Sequence, residues 1–121
     1  MRARAFLVAL LLSWQPPLAV AEGAKPSDAM IVATAQQFVL EHLQRRPENY
    51  FGVAFDIANI HPQADPGYWA VIGGFMADAG HKNYKPHAYG VAMRVICSDY
   101  AIPACWRLEK LVIDQTVILD N

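Results

Sequence analysis

The densest gathering of chemically capable side chains in this sequence is His81-Lys82-Asn83-Tyr84-Lys85-Pro86-His87. Two imidazoles, two ammonium groups and a phenol stand together in a chain whose formal net charge is −1. Imidazole titrates near neutral pH, and lysine attracts carboxylate and phosphate, so the cluster suits an anionic ligand or an acidic protein partner. Asn83 and Pro86 mark it as a loop, and loops carried on a rigid scaffold are common recognition sites. His81, Lys82, Tyr84, Lys85 and His87 are therefore the candidate binding residues. A solvated turn that discourages edge-to-edge strand pairing would use the same residues without any ligand.

Other chemistry has less to work with. His42, His61, His81 and His87 show no HxH, HxxxH or HExxH spacing, so no metal and no other cofactor is expected. Beyond residue 21 the only serines are Ser27 and Ser98, and neither lies in a GxSxG turn. Asp56, Asp65 and Asp78 fall at strand ends or in loops, where an acid–base pair would sit, but Asp56 also belongs to the polar side of its strand. No catalytic residue is assigned, and the balance leans away from an enzyme.

Cys97 and Cys105 are the only cysteines. The chain opens with Arg2 and Arg4, an apolar run over residues 5–12, then Pro16-Pro17 and Ala19-Val20-Ala21. That order of charge, apolar segment and small-x-small site predicts a secretory signal peptide over residues 1–21 and a single exported domain over 22–121. The apolar run is too short to span a bilayer, so no membrane anchor is expected after cleavage, and the destination is periplasmic or extracellular. There an even cysteine pair is oxidised, predicting a structural Cys97–Cys105 disulfide worth about 2.5 kcal/mol. Losing Arg2 and Arg4 leaves 8 basic against 11 acidic residues, a net of −3, which argues against a nucleic-acid surface.

These residues need a scaffold. Ser27 and Asp28 are N-cap candidates, and Ile31, Ala35, Phe38 and Leu43, widened by Met30 and Val39, recur at helical spacing until Pro47. Thereafter the period is two. Phe51, Val53, Phe55 and Ile57 alternate with smaller residues as a first strand. Residues 61–67 form a loop. Residues 68–77 form a second strand with Trp69, Val71, Gly73 and Phe75 on one side and a bulge or bend at Gly73-Gly74. Residues 78–86 read as a loop. Tyr89, Val91, Met93, Val95 and Cys97 line a third strand. Residues 105–113 form a fourth, with Trp106, Leu108 and Lys110 on one face and Leu111 and Ile113 on the other. Asp114-Gln115 suits a tight turn into a short last strand, unless the fourth strand runs straight through.

One helix followed by four or five strands on short connections predicts an α+β domain, the helix packed on an antiparallel meander sheet. Its outline is similar to cystatin-like or small NTF2-like arrangements, an analogy of architecture with no motif of either family. The function this favours is a small exported, non-catalytic binding protein, an enzyme inhibitor or other protein-partner module, acting through loops at one end of the sheet. The alternative is an enzyme or ligand-binding domain with a pocket between helix and sheet, using Asp56 or a histidine in space opened by Gly73 and Gly74.

Overall fold

The computed structural model describes residues 25–80 and 83–121. The predicted signal segment and its cleavage point, together with His81 and Lys82, lie outside the described residues. Helix α1 spans Asp28–Gln44. The Ser27 side chain accepts a hydrogen bond of 3.1 Å from the Met30 amide, satisfying one of the free N–H groups at the helix start, and Asp28 complements the positive end of the helix dipole.

Six strands follow: β1 (Tyr50–Phe55), β2 (Asn59–Pro62), β3 (Tyr68–Ala79), β4 (Tyr84–Val95), β5 (Trp106–Ile113) and β6 (Thr116–Asp120). All pairings are antiparallel, in the order β1-β3-β4-β5-β6, with β2 also pairing β3. The predicted α+β meander is thus the fold. Ile31, Ala35, Val39 and Leu43 of α1 are buried against Val71, Phe75, Val91, Met93, Leu111 and Ile113 of the sheet. Truncating Phe75, which is wholly buried, to alanine would cost about 3–5 kcal/mol.

The differences from the sequence reading have local causes. The first strand ends at Phe55, short of Ile57, and a separate short strand, β2, runs into the loop expected over 61–67, both sharing one edge of β3. Gly52 at φ 62° sits in a bulge where the β1–β3 register shifts between Phe51 and Ala54. The bulge turns Phe51 outward, away from the side that Val53 and Phe55 share, and Ile57 is 92% exposed. Gly73-Gly74 makes no bulge in the β3–β4 ladder, whose register runs unbroken from Tyr68↔Arg94 to Asp78↔Tyr84.

The loop expected over 78–86 is mostly strand. Pro86 is tolerated inside β4 because β5 pairs with β4 only from Tyr89 onward, so no ladder partner asks for its missing N–H. A second bulge, between Leu108 and Lys110 on β5, resets the alternation and puts Leu108, Leu111 and Ile113 on one face. Asp114 (φ 49°) and Gln115 (φ 68°) form a two-residue turn into β6, the left-handed pair that a type I′ hairpin needs. Cys97 and Cys105 are bonded, with alpha carbons 4.9 Å apart, and close the β4–β5 connection. Among the described residues no helix is long and apolar enough to cross a membrane.

Candidate functional site: the uncovered sheet face

The pleat divides the predicted binding cluster. Tyr84 and Lys85 are neighbours on β4, so they belong to opposite faces of the sheet. Lys85 is exposed and borders a cleft of about 440 Å³ with Glu48, Gly80, His87 and Asp114. The same cleft is thus lined by acidic as well as basic residues. Glu48 is itself held by Arg46 at 2.7 Å, which keeps its carboxyl below the usual range.

His87 is no exposed loop histidine. Its side chain is 6% exposed, stacked on Phe75 with ring centroids 5.0 Å apart and edge-on to Tyr50 at 5.7 Å. Its Nδ1 lies 2.7 Å from Asp114 Oδ2, while Asp114 Oδ1 accepts from the Ala88 amide at 2.9 Å. A histidine oriented by a carboxylate is a general-base arrangement. Here, however, Nε2 is buried and lacks a hydrogen-bond partner among the described residues, so no substrate atom reaches it. The pair ties the β5–β6 turn to β4.

The carboxylates weighed for acid–base work are dispersed. Asp56 reaches over Gly74, Asp65 faces Arg94 at 3.7 Å, and Asp78 lies in the Phe51–Tyr84 row. Among the described residues no three His, Cys, Asp or Glu side chains cluster as a metal would require. Among the described residues the space expected at Gly73 is filled, while a cleft of about 540 Å³ opens between α1 and β2 beside Val32, Gln36, Ala58 and Ile60. The space above Gly73 is taken by the Tyr89 ring, whose hydroxyl would stand 2.8 Å from an added Cβ. That hydroxyl accepts a 3.3 Å hydrogen bond from Gln36 of α1, and burial pushes its pKa up. The nearest sizeable apolar cleft, of about 470 Å³, opens beside the helix, between Phe38 and Gln37 on one wall and Tyr100 and Pro103 on the other.

What stands out is the face of the sheet that the helix does not cover. Read across the ladder, its rows are Phe51–Asp78–Tyr84, Ala54–Met76–Pro86, Gly74–Ala88, Asn59–Ile72–Gly90–Val112–Val117, His61–Ala70–Ala92–Lys110–Asp120 and Tyr68–Arg94–Arg107. The middle four rows of β3 and β4 are apolar or glycine throughout. Ile72, at their centre, is 52% exposed. An antiparallel sheet with one covered face normally turns polar residues to water on the other. This one shows alanine, glycine and isoleucine instead.

The two ends of the strip carry its large side chains. At one end Phe51 and Tyr84 are exposed. The Tyr84 ring crosses Gly52 at 3.2 Å from where a Cβ would sit, and its hydroxyl donates to the Gly52 carbonyl at 3.0 Å. Beneath them Asp78 Oδ1 is buried without a partner among the described residues. At the other end the Arg94 guanidinium lies 4.6 Å over the Tyr68 ring. No family model, no curated protein and no solved structure matches this chain. The site therefore rests on its own geometry: an apolar centre on β3 and β4, reached from the β1 side by the Asp56 carboxylate over Gly74, with aromatic and arginine ends.

Of the candidate binding residues that are described, Tyr84, Lys85 and His87, only Tyr84 belongs to this face. Ile72, Gly74, Ala88, Gly90 and Ala92 were missed, although the signal was present. In 68–77 and 84–95 the positions between the core residues are small and apolar where an exposed face would be polar.

Proposed function

We propose that this chain is a small exported, non-catalytic binding protein that docks a protein partner on the uncovered face of its sheet. The observation that carries the reading is Ile72, half exposed in the middle of a strip of glycine and alanine that spans the central strands. Contiguous bare apolar surface of this extent marks interaction sites in soluble proteins. The Cys97–Cys105 disulfide supports a periplasmic or extracellular setting. Tyr84 brings one end of the loop cluster to the rim of the same face. Lys85, across the pleat from Tyr84, then acts from the margin, where charge sets partner choice and encounter rate more than affinity.

The test is photo-crosslinking in the producing cell, with a photoreactive residue placed singly at position 72, 88 or 85. Adducts from 72 and 88, with none or few from 85, are expected. Adducts from 85 alone would move the contact to the loop end and overturn this placement.

A further inference from the structure

We infer that the partner seated on this face is a second copy of the same chain, the two sheets stacking face to face about a two-fold axis. The inference rests on the reading above and adds the occupant. Its first support is shape. A two-fold interface must be complementary to itself, and the relief of this strip is. Among the outward residues of β3 and β4 between the end rows, Ile72 is the one exposed large hydrophobic, with Val117 of β6 exposed farther along the same row. A hollow lies beside Ile72 at Gly90, directly across on β4, where an added Cβ would meet only Val112 at 3.9 Å, whereas Gly74, two residues along β3, is covered by the Asp56 carboxylate.

With the axis parallel to the strands, Ile72 of each copy faces Gly90 of the other. An axis across the strands would instead set Ile72 on Gly74, under the Asp56 carboxylate, so the axis parallel to the strands is the one this surface fits. That arrangement fills the hollow with the knob, and stacked sheets pack about 10 Å apart, less where the facing residues are small.

Area is the second support. At about 3.3 Å per residue and 4.8 Å per strand, the strip from the Phe51 row to the Tyr68 row measures roughly 33 Å by 19 Å. That is on the order of 600 Å² in plan, and more when the surface relief is followed, close to the ~800 Å² per partner that a stable interface buries. Charge is the third. The net charge of −3 left without Arg2 and Arg4 sets modest repulsion between copies, and the arginines at the margin are already balanced, Arg94 by Asp65 at 3.7 Å and Arg107 by Glu109 at 2.7 Å.

Sedimentation equilibrium of the purified protein decides the matter. Wild type is expected at twice the monomer mass at tens of micromolar. Ile72→Asp, which changes a side chain already half in water, should keep the wild-type circular dichroism and raise the dissociation constant roughly thirtyfold or more, as for an interface hot spot. Ile72→Val, which keeps the knob, should remain dimeric. A wild type that stays monomeric to ~1 mM overturns the inference, and so does a dimer indifferent to Ile72→Asp. Crosslinks from position 72 to a different protein would overturn the second-copy inference while leaving the face as a docking site. Absence of any crosslink from 72 or 88 would remove the docking site as well.

Discussion

Gly73→Ala tests whether the space between helix and sheet is full. Gly73 faces Tyr89 across the β3–β4 ladder, and its backbone is not in the left-handed region, so alanine is free of dihedral strain there. The added methyl would stand 2.8 Å from the Tyr89 hydroxyl oxygen and 2.9 Å from Cζ, which no packed carbon tolerates. The ring has nowhere to retreat. Tyr89 is 2% exposed, edge-on to Phe55 at 5.8 Å, and held by Gln36. Overpacking of this kind costs about 1–3 kcal/mol, and the entropy gained by replacing glycine returns only about 0.4–1. The net expectation is a loss of roughly 1–2 kcal/mol, or about 5–15 °C in Tm for a domain of this size, with an unchanged urea m-value. Tyr89→Leu in the same chain should make room, so the double variant should be more stable than the sum of the single effects by about 1 kcal/mol or more. Urea titrations of the four proteins read this directly. A Gly73→Ala protein as stable as wild type, with additive behaviour in the double variant, would mean that the helix leaves open space over the sheet. The pocket reading would then return.

Thiol labelling under denaturing, non-reducing conditions should find no free thiol, and Cys97→Ala with Cys105→Ala should lower stability by about 2.5 kcal/mol, because the closed loop is only 8 residues in separation. His42, on α1, has its pKa lowered first by burial and then by Arg46 and Arg45. A histidine whose folded pKa is depressed binds fewer protons folded than unfolded, so stability should fall as pH drops through 6.5 toward the folded pKa. Urea midpoints at neutral and mildly acidic pH should show that slope in wild type and less of it in His42→Gln.

How far the sequence speaks depends on which rule governs each residue. Alternation in 69–75 and 89–95 identified the inward face correctly, because burial under one helix leaves a period of two that no local feature disturbs. The Ser27 cap and the Asp114-Gln115 turn were equally legible, since each is decided by backbone chemistry within four residues. Strand ends were not. Asp78, Tyr84 and Pro86 carry loop chemistry, yet the β3–β4 ladder runs through them because pairing continues past the point where the helix and β5 stop. The bulges at Gly52 and near Glu109 shift parity by one residue. A pattern count cannot see that shift, and it moved Phe51 outward and placed Leu108 with Leu111.

The candidate binding cluster and the bare face come apart for a related reason. A cluster of charged and titratable residues draws the eye along the sequence, but adjacent strand residues occupy opposite faces, so proximity in sequence separated Tyr84 from Lys85 and His87. His87 then follows its core neighbour. Paired directly with Phe75, it is drawn into the ring stack, and Asp114 arrives from a turn 27 residues away to hold its nitrogen, a partner that only the folded hairpin supplies. The bare sheet face has the opposite character. It is a deficit, with no charged residue at the outward positions 70, 72, 74 and 76 or at 86, 88, 90 and 92, and it becomes visible only once the register aligns these two rows of small residues. The outward rows of β3 and β4 are what the fold leaves uncovered, and since nothing in the core uses them, their lack of polarity is the feature that the proposed docking accounts for.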